Sequence, residues 1–289
     1  MEAIGISAAI LSTASWAFAT VLFDRLGKVI PYAGITFLKG TFSIVIMTLL
    51  IIPMGGLTAL TLKAATILVI SGIIGIGIGD SLFFHSLQDL GAKTQVLYFM
   101  LGQVVTMFLS FILLGDILSI RQYAGAVILL SGILIVIIGK QEDHPNKKRG
   151  IILGLLSILC YSFSSIMVKI TIGDVQVLTA TYYRMVAGTL SVLFIGVTTH
   201  NITPWIKPLS NCSILLQFII NVIVVTLGGF LLSMLAIKYT SVSITSILSA
   251  MEPVFVLLFA FIINHERATQ REIIGSAIAI LGLLIIITH

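Results

Sequence analysis

Apolar runs of membrane-spanning length follow one another along this chain almost without remainder. About 20 apolar residues in a helix cross a bilayer core about 30 Å thick. The sequence divides into such lengths at 4–22, 33–52, 64–87, 94–113, 121–139, 151–169, 178–199, 213–236, 244–262 and 272–288. The connections, DRLGKVIP, QDLGAK, KQEDHPNKKRG and NHERATQR among them, are short and carry the charges and turn formers. None is long enough to fold as a separate soluble domain. The expected fold is all-α, with ten transmembrane helices.

Composition agrees with that division. Residues are 58% hydrophobic and 9% charged, where soluble domains carry roughly a quarter charged residues. A net charge of +5 does not point to nucleic acid, because the Lys and Arg residues are scattered over short loops, where they set topology. Cys160 and Cys212 have neither metal-ligand nor redox spacing, so no metal and no cofactor is expected. ASWAFA in the first run resembles a cleavage site but has no basic segment before it, so the run is read as the first helix.

The chain also repeats. At an offset of 150, Gly79, Leu82, Val104, Phe111, Arg121, Gly125 and Gly132 meet Gly229, Leu232, Val254, Phe261, Arg271, Gly275 and Gly282. Nearer the N-terminus the offset is 145, pairing Ser12 with Ser157, Trp16 with Tyr161 and Lys39 with Arg184. The longer loop around His200 to Asn211 accounts for the change of offset. The predicted organisation is a first five-helix repeat over 1–140, a loop at 141–150 and a second repeat over 151–289. Five is odd, so the halves are expected upside down relative to each other. Such inverted repeats, with a site at their interface near the midplane, are an architecture of secondary transporters.

The stretch GIGIGDSLFFH imitates a phosphate-cradling loop and a GDSL hydrolase block. Its flanks form one apolar helix, whereas a dinucleotide fingerprint needs a strand before it and an amphipathic helix after it. A GDSL hydrolase needs an Asp-x-x-His block near its C-terminus, and IITH has Ile286 at the Asp position. The protein is read as not an enzyme. Gly72, Gly75 and Gly79 instead form a smooth helix face for close packing.

Four ionisable residues lie inside the spans, where such groups mark functional sites by default. Counting ~1.5 Å per residue, Lys39 and Asp80 each lie roughly 10 Å from one membrane face, here called face B. Arg184 and Glu252 lie roughly 9 and 13 Å from the opposite face A. Two ion pairs are therefore expected. They serve either as helix-to-helix ties or as cavity residues that change partners during transport. Pro253 removes a helix hydrogen bond and predicts a bend beside Glu252. Trp16 and Tyr161 are expected as facing aromatic walls, with Ser12, Ser157, Ser164 and Ser165 as small polar contacts. Tyr98, Gln103, Gln217 and Asn221 add donors and acceptors, although any one of them alone also serves ordinary packing.

These residues resemble the EamA branch of the drug/metabolite transporter superfamily. The likeness is carried by the aromatic in ASWAF and CYSFS, the basic residue in FLKG and YYRM, and above all ILSAMEPVFVLLFAFIINHERATQREIIGSAIAILGLLII. In the first half Gly102 and Gln103 replace the Glu-Pro of the second, so the fourth helix need not share the bend at Pro253. The resemblance implies a ten-helix carrier with both termini in the cytoplasm. The charge bias points the other way. In that arrangement Lys63, Arg121, Lys169 and Lys238 lie inside, while Arg25, Lys28, Lys147, Lys148 and Arg149 are among the larger number outside.

The resulting expectation is a secondary transporter in the inner (cytoplasmic) membrane, a monomer or dimer in the lipid bilayer with no nucleic-acid partner. It moves a small polar metabolite, such as an amino acid or amine, by alternating access, with Asp80 or Glu252 coupled to protons. The alternatives are a non-transporting membrane binding or scaffold protein, and a multidrug or nucleotide-sugar-type carrier.

Overall fold

Turn formers stop the helices close to where the sequence sets its connections. A computed structural model of the protein describes residues 1–137, 146–173, 175–200, 202–264 and 269–287, with the side chains of some helical residues outside the description, most of them between 92 and 104. The order is α1 (Glu2–Leu26), α2 (Tyr32–Ile51), α3 (Leu62–Gly72), a π-helical segment (Ile73–Gly79), α4 (Asp80–Leu114), α5 (Ile120–Ile137), α6 (Lys147–Thr171), α7 (Val177–Thr198), α8 (Ile202–Ile206), α9 (Cys212–Ile223), a second π-helical segment (Val224–Leu231), α10 (Leu232–Tyr239), α11 (Val242–Ser249), α12 (Glu252–Asn264) and α13 (Gln270–Ile287). Side-chain oxygens of Thr61, Asn211 and Ser241 accept from backbone N–H groups at the starts of α3, α9 and α11, satisfying donors that a helix start leaves open.

Among the described residues, seven stretches are long and apolar enough to cross a membrane: Glu2–Leu26, Tyr32–Ile51, Leu62–Gly91, Lys147–Thr171, Val177–Thr198, Cys212–Tyr239 and Val242–Ile263. Val105–Leu114 and Ile273–Gly282 are shorter apolar segments. The protein is thus an all-helical, multi-pass membrane protein. Ten spans were expected; the fourth, fifth and tenth contain or adjoin residues outside the description. Gly91 makes the connection between the third and fourth, since its φ of 72° and ψ of 163° break α4 with no other loop. Positive φ is open to glycine at little cost.

Many large apolar side chains are exposed, Leu49, Phe108, Phe194 and Leu284 among them, as a lipid-facing surface requires. Inside, α5 crosses α13 at glycines that correspond in the repeat. A Cβ at Gly132 would come 2.6 Å from the Gly275 carbonyl oxygen, and one at Gly282 would come 2.7 Å from that of Gly125. Backbone replaces side chain at this contact, which is how membrane helices gain packing when lipid offers no hydrophobic drive.

A second regularity concerns the helix phase. The two π-helical segments, 73–79 and 224–231, correspond at the 150-residue offset. In the first, the Asp80 N–H donates to the Gly75 carbonyl, five residues back. One extra residue in the turn rotates everything that follows about the helix axis. Such insertions recur at functional sites, and both of these lie beside the cavity described next.

Candidate functional site

A cavity lies between α1, α4, α6, α7, α10, α11, the start of α12 and the two π-helical segments. Its lining includes Ser12, Thr13, Trp16, Gly75, Phe83, Gly102, Thr106, Tyr161, Ser165, Arg184, Phe230, Ser233, Thr245, Ser246, Ser249 and Glu252. Among the described residues, hydroxyls, one cation, one carboxylate and aromatic faces therefore share one enclosure. The α11 contribution follows from helical spacing: Val242, Thr245, Ser246, Ser249 and, beyond the break, Glu252 recur at intervals of three and four. That pattern was available in the sequence and was missed.

Lys39 and Asp80 meet, but outside the cavity. Lys39 Nζ donates to Asp80 Oδ2 in an ion pair whose two side chains are almost wholly buried. The ammonium also faces the rings of Phe230, Phe84 and Trp16, at 4.7, 5.1 and 5.5 Å from their centroids. Trp16 and Phe230 pack edge to face at 5.0 Å, and Phe23, Phe84, Phe218 and Leu87 fill the space toward face B. Of the two readings of the pair, helix tie or cavity lining, the geometry fits the tie: the rings of Trp16 and Phe230, which line the cavity, stand over the ammonium. Asp80 Oδ1 accepts the Tyr161 hydroxyl, and Tyr161 does line the cavity. Tyr161 is thus the link between the enclosure and the buried pair. Sequence reasoning expected only a wall there.

Arg184 and Glu252 do not pair. Glu252 Oε1 accepts from Thr20 Oγ1 at 3.1 Å. Arg184 donates from Nη2 to Ser164 Oγ and from Nη1 to Met234 Sδ, both at 2.9 Å. Depth placed the two at similar levels, yet they come from different helices with other partners closer. Ser164 in turn donates to the Ser71 carbonyl at 2.8 Å, holding the start of the first π-helical segment against α6.

The break on the ninth span falls one step before the expected place. Helix α11 ends at Ser249, α12 begins at Glu252, and Ala250 and Met251 turn between them. Pro253 therefore sits in a first helical turn, where no backbone N–H is needed. Glu252 opens the helix. In the first half α4 runs on through Gly102 without a break.

Other expected contacts are corrected. Asn221 is fully buried outside the cavity, its Nδ2 donating to the Ala19 carbonyl at 3.2 Å, a tie between α9 and α1. Gln217 is half-buried, lies outside the cavity lining and donates to Ser213 Oγ. Ser157 returns its hydroxyl to the Gly154 carbonyl, whereas Ser12 lines the cavity and bonds the Gly229 carbonyl at 2.8 Å. The side chains of Tyr98 and Gln103 lie outside the described residues. On face B, Arg149 forms an unforeseen two-point ion pair with Asp89 at 2.7 and 2.6 Å, joining the start of α6 to α4. His85 stacks on Tyr32 beside it, with centroids 4.0 Å apart.

Comparison with known proteins places this geometry. A model of the EamA-like transporter family matches residues 3–138 and again 148–288. A CRT-like (chloroquine-resistance transporter-like) model matches residues 79–215. The uncharacterized transporter YyaM of Bacillus subtilis is 25% identical over 272 residues, covering 90% of this chain and 85% of that protein. The uncharacterized transporter sll1164 of Synechocystis is 21% identical over 267 residues, covering 89% and 76%. A solved crystal structure superimposes with a TM-score of 0.71 over 98% of this chain and 96% of its own, at 16% identity, a likeness of fold alone.

Proposed function

The chain belongs to the EamA-like transporter family, and from that premise we propose that it is a secondary carrier of a small polar metabolite, an amino acid, an amine or a related compound, working by alternating access. In this reading the chain makes ten crossings of the cytoplasmic membrane as two inverted repeats, over 1–140 and 151–289, and the cavity at their interface holds the substrate. The observation that carries it is Tyr161. Its ring lines the cavity while its hydroxyl bonds Asp80 of the buried pair toward face B. A substrate that displaces the ring perturbs the pair, and separation of Lys39 from Asp80 opens that side. Charged groups buried as a pair add little net stability, because desolvation roughly cancels attraction. A role in changing partners is a better reason for their presence.

Glu252 is the proposed proton carrier. It faces a hydroxyl rather than a cation, so a proton can neutralise it without leaving a partner charge stranded. Reconstitution in proteoliposomes tests this. Glu252→Gln keeps the shape but cannot titrate, so accumulation driven by an imposed pH gradient falls at least ~10-fold while substrate exchange persists. Loss of exchange and accumulation together, in protein that still folds, would assign Glu252 to substrate binding instead. A folded wild-type protein that binds small polar metabolites but moves none of them would be a binding protein.

A further inference from the structure

The cation of the second half is arranged for a ligand. Lys39 and Arg184 correspond at the 145-residue offset, and at the 150-residue offset the counterpart of Asp80 is Phe230. Phe230 turns its ring toward Lys39 and offers Arg184 no countercharge. Asp80 gives one carboxylate oxygen to Lys39 and the other to Tyr161, and Glu252 bonds Thr20. Among the described residues, no carboxylate stands within ion-pair distance of Arg184.

The guanidinium is nevertheless buried, the residue being only 8% exposed, and it lines the cavity. Its hydrogen bonds end on neutral acceptors, a serine oxygen and a methionine sulfur. Its Nε is buried with no hydrogen-bond partner among the described residues. An arginine presents five donors in a rigid planar fork that matches the two oxygens of a carboxylate. A fixed cation inside a membrane is costly unless paired. The pairing left open here is with something that enters the cavity.

We infer that Arg184 is an anion-anchoring residue and that the transported molecule carries a carboxylate, which docks on the guanidinium as its missing countercharge. The apolar part of that molecule lies against Trp16, Phe83 and Phe230. A polyanion fits less well, since the other deep cation, Lys39, is already paired and lies behind aromatic rings. This assignment rests on the carrier reading above, and it has its own readout.

The test uses the purified full chain in lipid nanodiscs, with n-butyrate, butyramide and n-butylamine as probes at constant ionic strength. Butyrate is expected to raise the Tm of wild type, and the amide and amine to leave it unchanged. In Arg184→Gln the butyrate response disappears. In Arg184→Lys, which keeps the charge and loses the fork, the butyrate concentration for half-response rises at least about tenfold. Should Arg184→Gln fail to fold, phenylglyoxal labelling of wild type replaces it, with butyrate expected to protect the peptide containing Arg184. The inference is overturned if butyrate gives no stabilisation, if the amide or amine stabilises equally, or if Arg184→Gln or the labelling shows no dependence on butyrate. Flux in proteoliposomes separates the two proposals. A butyrate response without flux of any metabolite sinks the carrier and leaves the anion site, whereas butylamine moving as fast as butyrate sinks the anion site and leaves the carrier.

Discussion

Lys39 and Arg184 stand at corresponding places in the two halves and meet opposite surroundings. Lys39 is sealed, with a carboxylate on one side and three rings around it. Arg184 lines the cavity with neutral partners and an unpartnered nitrogen. The difference traces to one position in the repeat, Asp80 against Phe230, just after or within the π-helical turn. A duplicated helix fixes how deep a cation sits; whether a carboxylate stands within reach decides whether the charge is neutralised within the protein or left for a ligand.

Substitutions on the two sides should therefore differ in kind. The largest effect is expected for Asp80→Asn, which removes the countercharge of the buried Lys39 ammonium and leaves one acceptor oxygen where Lys39 and Tyr161 now use two. Breaking one side of a buried pair costs about 3–5 kcal/mol, read as lost unfolding free energy or lowered Tm, and flux should fall by about 100-fold. The exchange Lys39→Asp with Asp80→Lys should recover part of the flux. Arg184→Gln, by contrast, should cost much less Tm than Asp80→Asn, because it breaks no ion pair within the protein. Equal losses of stability for Asp80→Asn and Arg184→Gln would erase the comparison.

A smaller effect sharpens it. Tyr161→Phe keeps the aromatic wall but withdraws the hydrogen bond to Asp80, a bond to a charged group worth about 1.5–3 kcal/mol. If Tyr161 transmits occupancy of the cavity to the buried pair, flux drops about tenfold while binding of substrate is retained. Equal loss of binding and flux would make it a contact residue only. The smallest change is expected for Asp89→Asn. Asp89 is buried, but its partner Arg149 is 54% exposed, so water and salt screen the pair from the open side and it contributes little. Flux should shift by less than about twofold, with any shift vanishing in high salt. A large effect would move the face-B closure from the aromatic rings to this outer pair.

Much of the helical layout was legible because bilayer thickness and rise per residue are fixed. The runs around Trp16, Lys39, Tyr161 and Arg184 became α1, α2, α6 and α7, and the glycines shared by the repeat became the crossing of α5 and α13. Partner choice was less legible. Asn221 and Gln217 have the right chemistry for a polar cavity, yet one ties two helices and the other bonds Ser213 one turn back on its own helix. Thr245, Ser246 and Ser249 were overlooked although their spacing put them on one face with Glu252.

What the sequence alone determined is depth. Lys39 and Asp80 had to lie at similar levels, because each residue of a helix advances a set distance along the axis. What only the tertiary structure decided is azimuth. An added residue in a π-helical turn rotates Asp80 toward Lys39 and Tyr161 without changing its level appreciably, and helix packing turns Arg184 toward Ser164 and Met234 instead of Glu252. Rotation about a helix axis depends on neighbours contributed by distant parts of the chain, and local sequence does not encode it.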